Sequence, residues 1–257
     1  MEGLNAYISE EGYLIIPEYD IKYLIDFVES NIPSMPEAAE SSVRIAGRDG
    51  DIPLKTTYEP IPFEIVCYTE DNLTMAEKIK EESKINEFLN SIKENTISFG
   101  MEVYKKFYNV KYNGSLVTTR FPKHIKFSIP LKSSDPYAKS SIKREIVGSS
   151  SLIKFESSTI KEAGAIFIIN GPATNPKIIV NNYEMQYNYS ILEGNKLIIN
   201  SNNSTVINEN SLGVKTNAMR HYNHQFPKIQ RGINTLKVQS GIANESQVTI
   251  EWYDLKF

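Results

Sequence analysis

The chain has 257 residues, 40% hydrophobic and 23% charged, with a formal net charge of −3. That length accommodates two domains, the composition is that of an ordinary globular protein, and the slightly acidic balance excludes a global basic field for nucleic acid or anionic lipid. A single cysteine, Cys67, excludes an internal disulfide, so the fold is expected to stand without covalent staples, as in a reducing cytoplasm. The first residues lack a basic start and an apolar core, and no run is long enough to cross a bilayer, so neither a signal peptide nor a membrane partner is expected.

In chain order, residues 13–16 (Tyr-Leu-Ile-Ile) predict a short strand ended by Pro17. Residues 21–28 suit a strand with Tyr23, Ile25 and Phe27 on one face. The two-proline segment 31–36 predicts an extended loop, and residues 32–42 as a whole read as a long loop. Residues 43–45 form a strand running into Ala46-Gly47-Arg48-Asp49-Gly50, where Asp-Gly favours a tight turn because glycine has no Cβ to clash. The next strand is residues 62–68, which holds Cys67 in an apolar run, the setting of a buried small hydrophobe. Thr74 and Glu77 have the spacing of a capping box. A helix is predicted from there to about Lys93, with Met75, Ile79, Ile85, Phe88, Leu89 and Ile92 as its apolar stripe and its charges on a solvated face. Strands follow at 97–104, 107–112, 115–119 and 125–131. In the last of these Ile125, Phe127, Ile129 and Leu131 alternate.

Residues 133–151 contain seven serines among nineteen residues and open on Asp135-Pro136, a turn signal. No helical pattern follows this stretch. It is the predicted junction between an N-terminal domain, residues 1–136, and a C-terminal domain, residues 137–257. In the second domain, strands are predicted at 152–155, 165–169, 177–180, 185–191, 196–199, 204–207, 233–238 and 247–253. The breaks between them include Asn170-Gly171-Pro172, Asn175-Pro176 and Glu193-Gly194-Asn195. Many short strands at regular spacing predict an antiparallel sandwich, with the lone Trp252 in its core near the sheet edge.

No catalytic, cofactor-binding or metal-binding residues are assigned. His124, His221 and His224 are the three histidines. The His221–His224 spacing lacks nearby acidic or cysteine partners, whereas a structural metal site needs about four ligands. The nucleophile-elbow, phosphate-loop and dinucleotide patterns are absent. The basic dipeptides Lys105-Lys106 and Lys143-Arg144 are too short for nucleic-acid recognition. A carboxylate pair for glycoside cleavage stays open, because its members meet only in space, but no particular pair is indicated, and the residues alone describe a two-domain, β-rich chain expected not to be an enzyme.

The order of several motifs carries a resemblance. Val43-Arg44-Ile45-Ala46-Gly47-Arg48-Asp49-Gly50 is followed by a helix ending in Glu87-Phe88-Leu89-Asn90, then by the strand Phe127-Ser128-Ile129-Pro130-Leu131 leading to Asp135-Pro136-Tyr137. Beyond these stand Gly171, Asn175-Pro176-Lys177-Ile178, the run from Gly194 to Asn200, and Gly232-Ile233-Asn234-Thr235-Leu236. Together they resemble the distal tail proteins of long-tailed, non-contractile bacteriophages, over nearly the whole chain. The resemblance implies a mainly β protein: an N-terminal β-barrel-like domain with one α-helix, and a C-terminal galectin-like antiparallel β-sandwich. It implies a structural virion protein, assembled in the host cytoplasm, that forms a homo-hexameric ring at the baseplate or tail tip. The partners it implies are the tail tube protein and the tail-tip or receptor-binding protein, with DNA passing through a central channel unread. A tail-like bacteriocin would use the same hub. The alternative is a carbohydrate-binding adhesin module for the cell wall, for which Tyr183, Tyr187, Tyr189 and Tyr222 are the candidate aromatics.

Overall fold

The computed structural model describes residues 5–33, 35–140, 144–148, 152–242 and 248–257. Lys143, Gln247 and serines 141 and 149–151 of the junction lie outside them. The chain divides into two compact units, Met1–Ser141 with Phe257, and Ile142–Lys256.

The first unit contains β1 (Ala6–Ile8), β2 (Tyr13–Ile16), β3 (Ile21–Ile25), β4 (Ala38–Val43), β5 (Ile52–Tyr58) and β6 (Ile61–Tyr68). After these come α1 (Met75–Ser91), β7 (Ile97–Met101), β8 (Lys106–Tyr112), β9 (Val117–Arg120), β10 (Ile125–Ser133) and β11 (Ala138–Ser140). Seven strands close a barrel in the order β8-β7-β1-β2-β3-β6-β10, with β10 returning to β8. The pairing of β1 with β7 is parallel. Closure works because strand alternation sends one side chain of every two inward: Ile125, Phe127, Ile129 and Leu131 of β10 are buried, as are Ile61, Phe63, Ile65 and Cys67 of β6.

The capping box of α1 is present in full. Glu77 N–H donates to Thr74 Oγ1 at 3.3 Å, and Thr74 N–H donates to Glu77 Oε2 at 2.8 Å. The expected apolar stripe holds at four of its six positions. Ile85, Phe88, Leu89 and Ile92 join the barrel core, but Met75 and Ile79 are exposed. The buried face continues from Ile85 back two turns to Lys78, and Ile79 lies about 100° further round the axis. Lys78 is buried because its ammonium donates to the carbonyls of Phe121 and Pro122, both at 2.7 Å. Nor are the helix charges a plain solvated face: Glu81 accepts from Tyr23 Oη at 2.9 Å, and Glu82 from Arg120 at 2.6 Å.

Other local readings are corrected too. Strand β3 stops at Ile25, because Asp26 Oδ1 takes the N–H groups of Val28 and Glu29 and turns the chain. Phe27 is therefore exposed rather than inward. The long loop expected at 32–42 contains most of β4, and β5 was not foreseen.

The second unit contains β12 (Arg144–Gly148), β13 (Ile153–Ser157), β14 (Ala163–Asn170), β15 (Ala173–Val180), β16 (Tyr183–Gln186) and β17 (Ser190–Ile191). It continues with β18 (Lys196–Asn200), β19 (Thr205–Glu209), β20 (Lys215–Asn217), β21 (Lys228–Ile229), β22 (Gly232–Ile242) and β23 (Val248–Trp252). Two antiparallel sheets, β12-β23-β14-β18-β19-β20 and β13-β22-β15-β16, enclose a second core that includes Phe155, Phe167, Ile178, Leu197, Leu236 and Trp252. Asn175-Pro176, expected as a break, is an irregularity inside β15. Asn175 takes a φ of 48°, and the register against β22 shifts between Ala173 and Lys177. Gly171 is required by close approach, since a Cβ there would sit 2.0 Å from the carbonyl oxygen of Leu192. Trp252 is on an inner strand rather than near the edge. Its Nε1 donates to Asp254 at 3.0 Å, and Asp254 also accepts from Ser158 at 2.8 Å.

Candidate interaction surfaces

The hairpin formed by β4 and β5 is a two-stranded sheet of its own. Its pairing runs from Ala38 opposite Tyr58 to Val43 opposite Ile52, with one irregularity between Ser41 and Ser42. Every residue of β4 except Ala39 is exposed, as are Ile45 in the connecting loop and Leu54 in β5. Among the described side chains none of this hairpin's belongs to the barrel core, although Tyr58 packs on Tyr137 and Phe257, and an isolated two-stranded hairpin is marginal in water. Cross-strand bonds hold it: Ser41 Oγ donates to Lys55 O at 3.0 Å and Thr57 Oγ1 to Ala39 O at 3.3 Å. Arg44, Arg48 and Lys55 are exposed on it.

At one mouth of the barrel the β1–β2 turn, the segment after β3 and the β7–β8 turn surround a cleft of about 490 Å³. Its apolar lining includes Phe27, Ile32, Val103 and Tyr104, and its acidic lining is Glu10, Glu11 and Glu102. The Glu102 carboxylate is fixed by the main-chain N–H of Glu10 at 3.2 Å. Phe27, Val103 and Tyr104 in this lining are more than half exposed, an apolar surface of the kind that marks a contact site.

A second groove, about 650 Å³, lies along the barrel wall between Tyr13, Leu24, Tyr68 and Phe121. Lys22, Asp71 and His124 in its lining are already engaged. Lys22 sits over the Tyr13 ring at 4.5 Å, and His124 Nδ1 lies 3.1 Å from Asp71 Oδ1.

Of the four tyrosines named from the sequence, Tyr187 and Tyr222 are buried in the sandwich core. Burial raises both phenols above their ordinary range. Tyr183 and Tyr189 are exposed. Tyr189 stacks on His221 with ring centroids 4.8 Å apart, and Arg220 Nε donates to His221 Nε2 at 2.8 Å. This contact ties up His221. His224 lies nearby in sequence, with a φ of 61°. Cys67 is buried in the barrel, where burial pushes its thiol well above the ordinary range, so it is an inert packing residue. Tyr108, also inside the barrel, is pushed up to about 12 by burial. Lys106 is buried, with its ammonium 5.2 Å from the Tyr104 ring centre. Among the described residues no three His, Cys, Asp or Glu side chains gather as a metal site, and no helix is long and apolar enough to cross a membrane. Sequence patterning read the Asp49-Gly50 turn of the hairpin but missed β5 and the mouth cleft. Their residues are exposed or belong to turns, so no burial period marks them.

No curated protein matches the sequence. Its fold is similar to that of the SPP1 Dit protein, described as a paradigm of the hub adsorption apparatus in phages infecting Gram-positive bacteria. That likeness has a TM-score of 0.67 and 11% identity, and covers 91% of this chain and 94% of that one. It is also similar to a chain of the phage P2 baseplate in its activated conformation, solved with calcium and again with strontium. Each of these has a TM-score of 0.56 and 9% identity, and covers 93% of this chain and 92% of the other. The sequence profile of the phage tail protein RIFT-related domain family matches residues 16–148, more than half of the chain. The protein thus belongs to that family of phage tail proteins, and its place is the tail of the virion.

Proposed function

We propose that this protein is a distal tail hub: a homo-hexameric ring at the end of the tail tube that joins the tube to the tail-tip or receptor-binding components and leaves a central channel for DNA. The role is structural, not catalytic. The hub and the baseplate to which its fold is similar support this reading. The observation that carries it is the β4–β5 hairpin, which has no core of its own and exposes Val43, Ile45 and Leu54 to solvent. Such an arm gains its burial from a neighbouring molecule. In a closed ring that neighbour is another copy, contacted head to tail.

The test is the mass of the purified protein by light scattering, with negative-stain images of the same fraction. Six copies of the 29.2 kDa chain come to about 175 kDa. A ring of that mass with a central hole is the expected result, and a monomer at every concentration overturns it. A second reading, a wall-carbohydrate module, rests on the Tyr189 ring, which is exposed although stacked on His221. Binding of the whole protein to host cell walls, lost on Tyr189→Ala, would favour it.

A further inference from the structure

We infer that the acidic cleft at the barrel mouth is the socket for the tip of the β4–β5 hairpin of the adjacent copy, so that one heterologous contact, repeated, closes the ring. This rests on the ring proposed above and names the two surfaces that meet.

The cleft and the outgoing half of the hairpin loop are complementary in charge and in character. Glu10, Glu11 and Glu102 line the cleft, with the Lys106 ammonium 5.2 Å from the ring centre of the lining Tyr104. Between these carboxylates stand Phe27, Val103 and Tyr104, apolar and more than half exposed. On the hairpin, the outgoing half of the connecting loop carries Arg44, Ile45 and Arg48, all exposed. Arg48 N–H donates to Ile45 O at 3.2 Å, which makes that half a fixed turn. Asp49 and Asp51, exposed as well, lie on the return half, so the two arginines belong to the outgoing half alone. Behind the tip, the hairpin face holding Val43 and Ile52 also carries Lys55, paired across from Ser41, and no carboxylate. The cleft, at about 490 Å³, is of a size to take a few side chains. Arginine beside carboxylates gains charge-assisted hydrogen bonds. Opposite charges on the two surfaces also suppress the wrong register.

A contact between two different surfaces of the same chain makes a distinctive prediction. Arg44→Glu with Arg48→Glu reverses the tip, and Glu10→Lys with Glu11→Lys reverses the socket. All four side chains are exposed. Glu102, whose carboxylate holds the main chain, is left in place. Each double variant alone is expected to fall from about 175 kDa to the 29.2 kDa monomer. Mixed in equal amounts, the two variants are expected to regain the full mass. Each then offers the other a matched tip and socket, and they alternate around a ring with an even number of positions. Regained mass also shows that both variants are folded. If both variants form rings like the unaltered protein, or if the mixture stays monomeric, the pairing is wrong and the ring stands. If the unaltered protein is itself monomeric, ring and pairing fall together.

Discussion

Two antiparallel strand pairs in the first unit invite comparison. β6 and β10 pair from Ile61 opposite Ser133 to Tyr68 opposite Lys126, and β4 and β5 pair over a similar length. In the first pair alternate side chains are buried to a few per cent or less in the barrel core, Phe63, Ile65, Phe127 and Ile129 among them. In the second pair the residues of β4 other than Ala39 stay exposed. Backbone hydrogen bonding is the same in kind, so it does not explain why both pairs persist. Burial holds the barrel together. The hairpin has its ladder, a few side-chain bonds and the packing of Tyr58 on Tyr137 and Phe257 at its base, while Val43, Ile45 and Leu54 stay exposed.

The sharpest way to break that comparison is to shorten the hairpin. Replacing residues 41–55 by a two-residue Asn-Gly turn removes the tip without touching the barrel. Assembly should be lost completely while the urea midpoint of the chain is unchanged, read by light scattering and by circular dichroism on one sample. An unfolded product would show that the hairpin is part of the barrel's stability after all.

Next in size is the reverse experiment. Phe127 is fully buried, and Phe127→Ala should cost about 3–5 kcal/mol, whereas Leu54→Ala on the hairpin should stay within about 0.5 kcal/mol. Trp252, the lone tryptophan, lies in the second unit. Its fluorescence therefore reads that unit, and the loss in Phe127→Ala should fall on the dichroism transition instead.

Lys78 comes third, because it is a charge on the side of the helix that should be apolar. Its ammonium holds two carbonyls of the segment before β10. Lys78→Met keeps the stem and removes the donors, at an expected cost of about 1–3 kcal/mol. Hydrogen exchange should localise the loosening to residues 120–124.

What the sequence disclosed follows the same division. β10 is legible because it is half buried, and half-burial imposes the alternation of Ile125, Phe127, Ile129 and Leu131. The start of α1 is legible because its cap is local chemistry between Thr74 and Glu77. β5 is not legible: Ile52-Pro53-Leu54-Lys55-Thr56-Thr57-Tyr58 has a proline that argues against a strand, and among its described side chains none is fully buried to impose a period. Asn175-Pro176 misleads for the opposite reason, since a local turn signal is absorbed as an irregularity by the long pairing of β15 with β22. The cleft joins turns far apart in sequence, so neither spacing nor composition brings Glu11 and Glu102 together. The resemblance to distal tail proteins rested on the order of motifs, and that order survives where local patterns fail.

The smallest effect concerns the helix that packs on the barrel. Thr74→Ala removes the capping hydroxyl and should cost about 1 kcal/mol at neutral pH. The Glu77 carboxylate is held below its ordinary range, first by the Thr74 main-chain N–H and then by the Thr74 hydroxyl. A carboxylate with a depressed folded pKa contributes stability that is fully present above the unfolded value, about 4.3, and is lost as pH falls through the folded value. Asp26 is held low in the same way, chiefly by the Glu29 N–H, so acid sensitivity of the unaltered protein has at least two sources. The difference between the protein and its Thr74→Ala variant cancels Asp26 and isolates the cap. That difference should be greatest at neutral pH and shrink as Glu77 protonates. It should not vanish, because the hydroxyl still accepts the Glu77 N–H at 3.3 Å. Unfolding free energies of both proteins from pH 7 to pH 3 check this, and a difference that does not change with pH would mean that the hydroxyl and the carboxylate act independently.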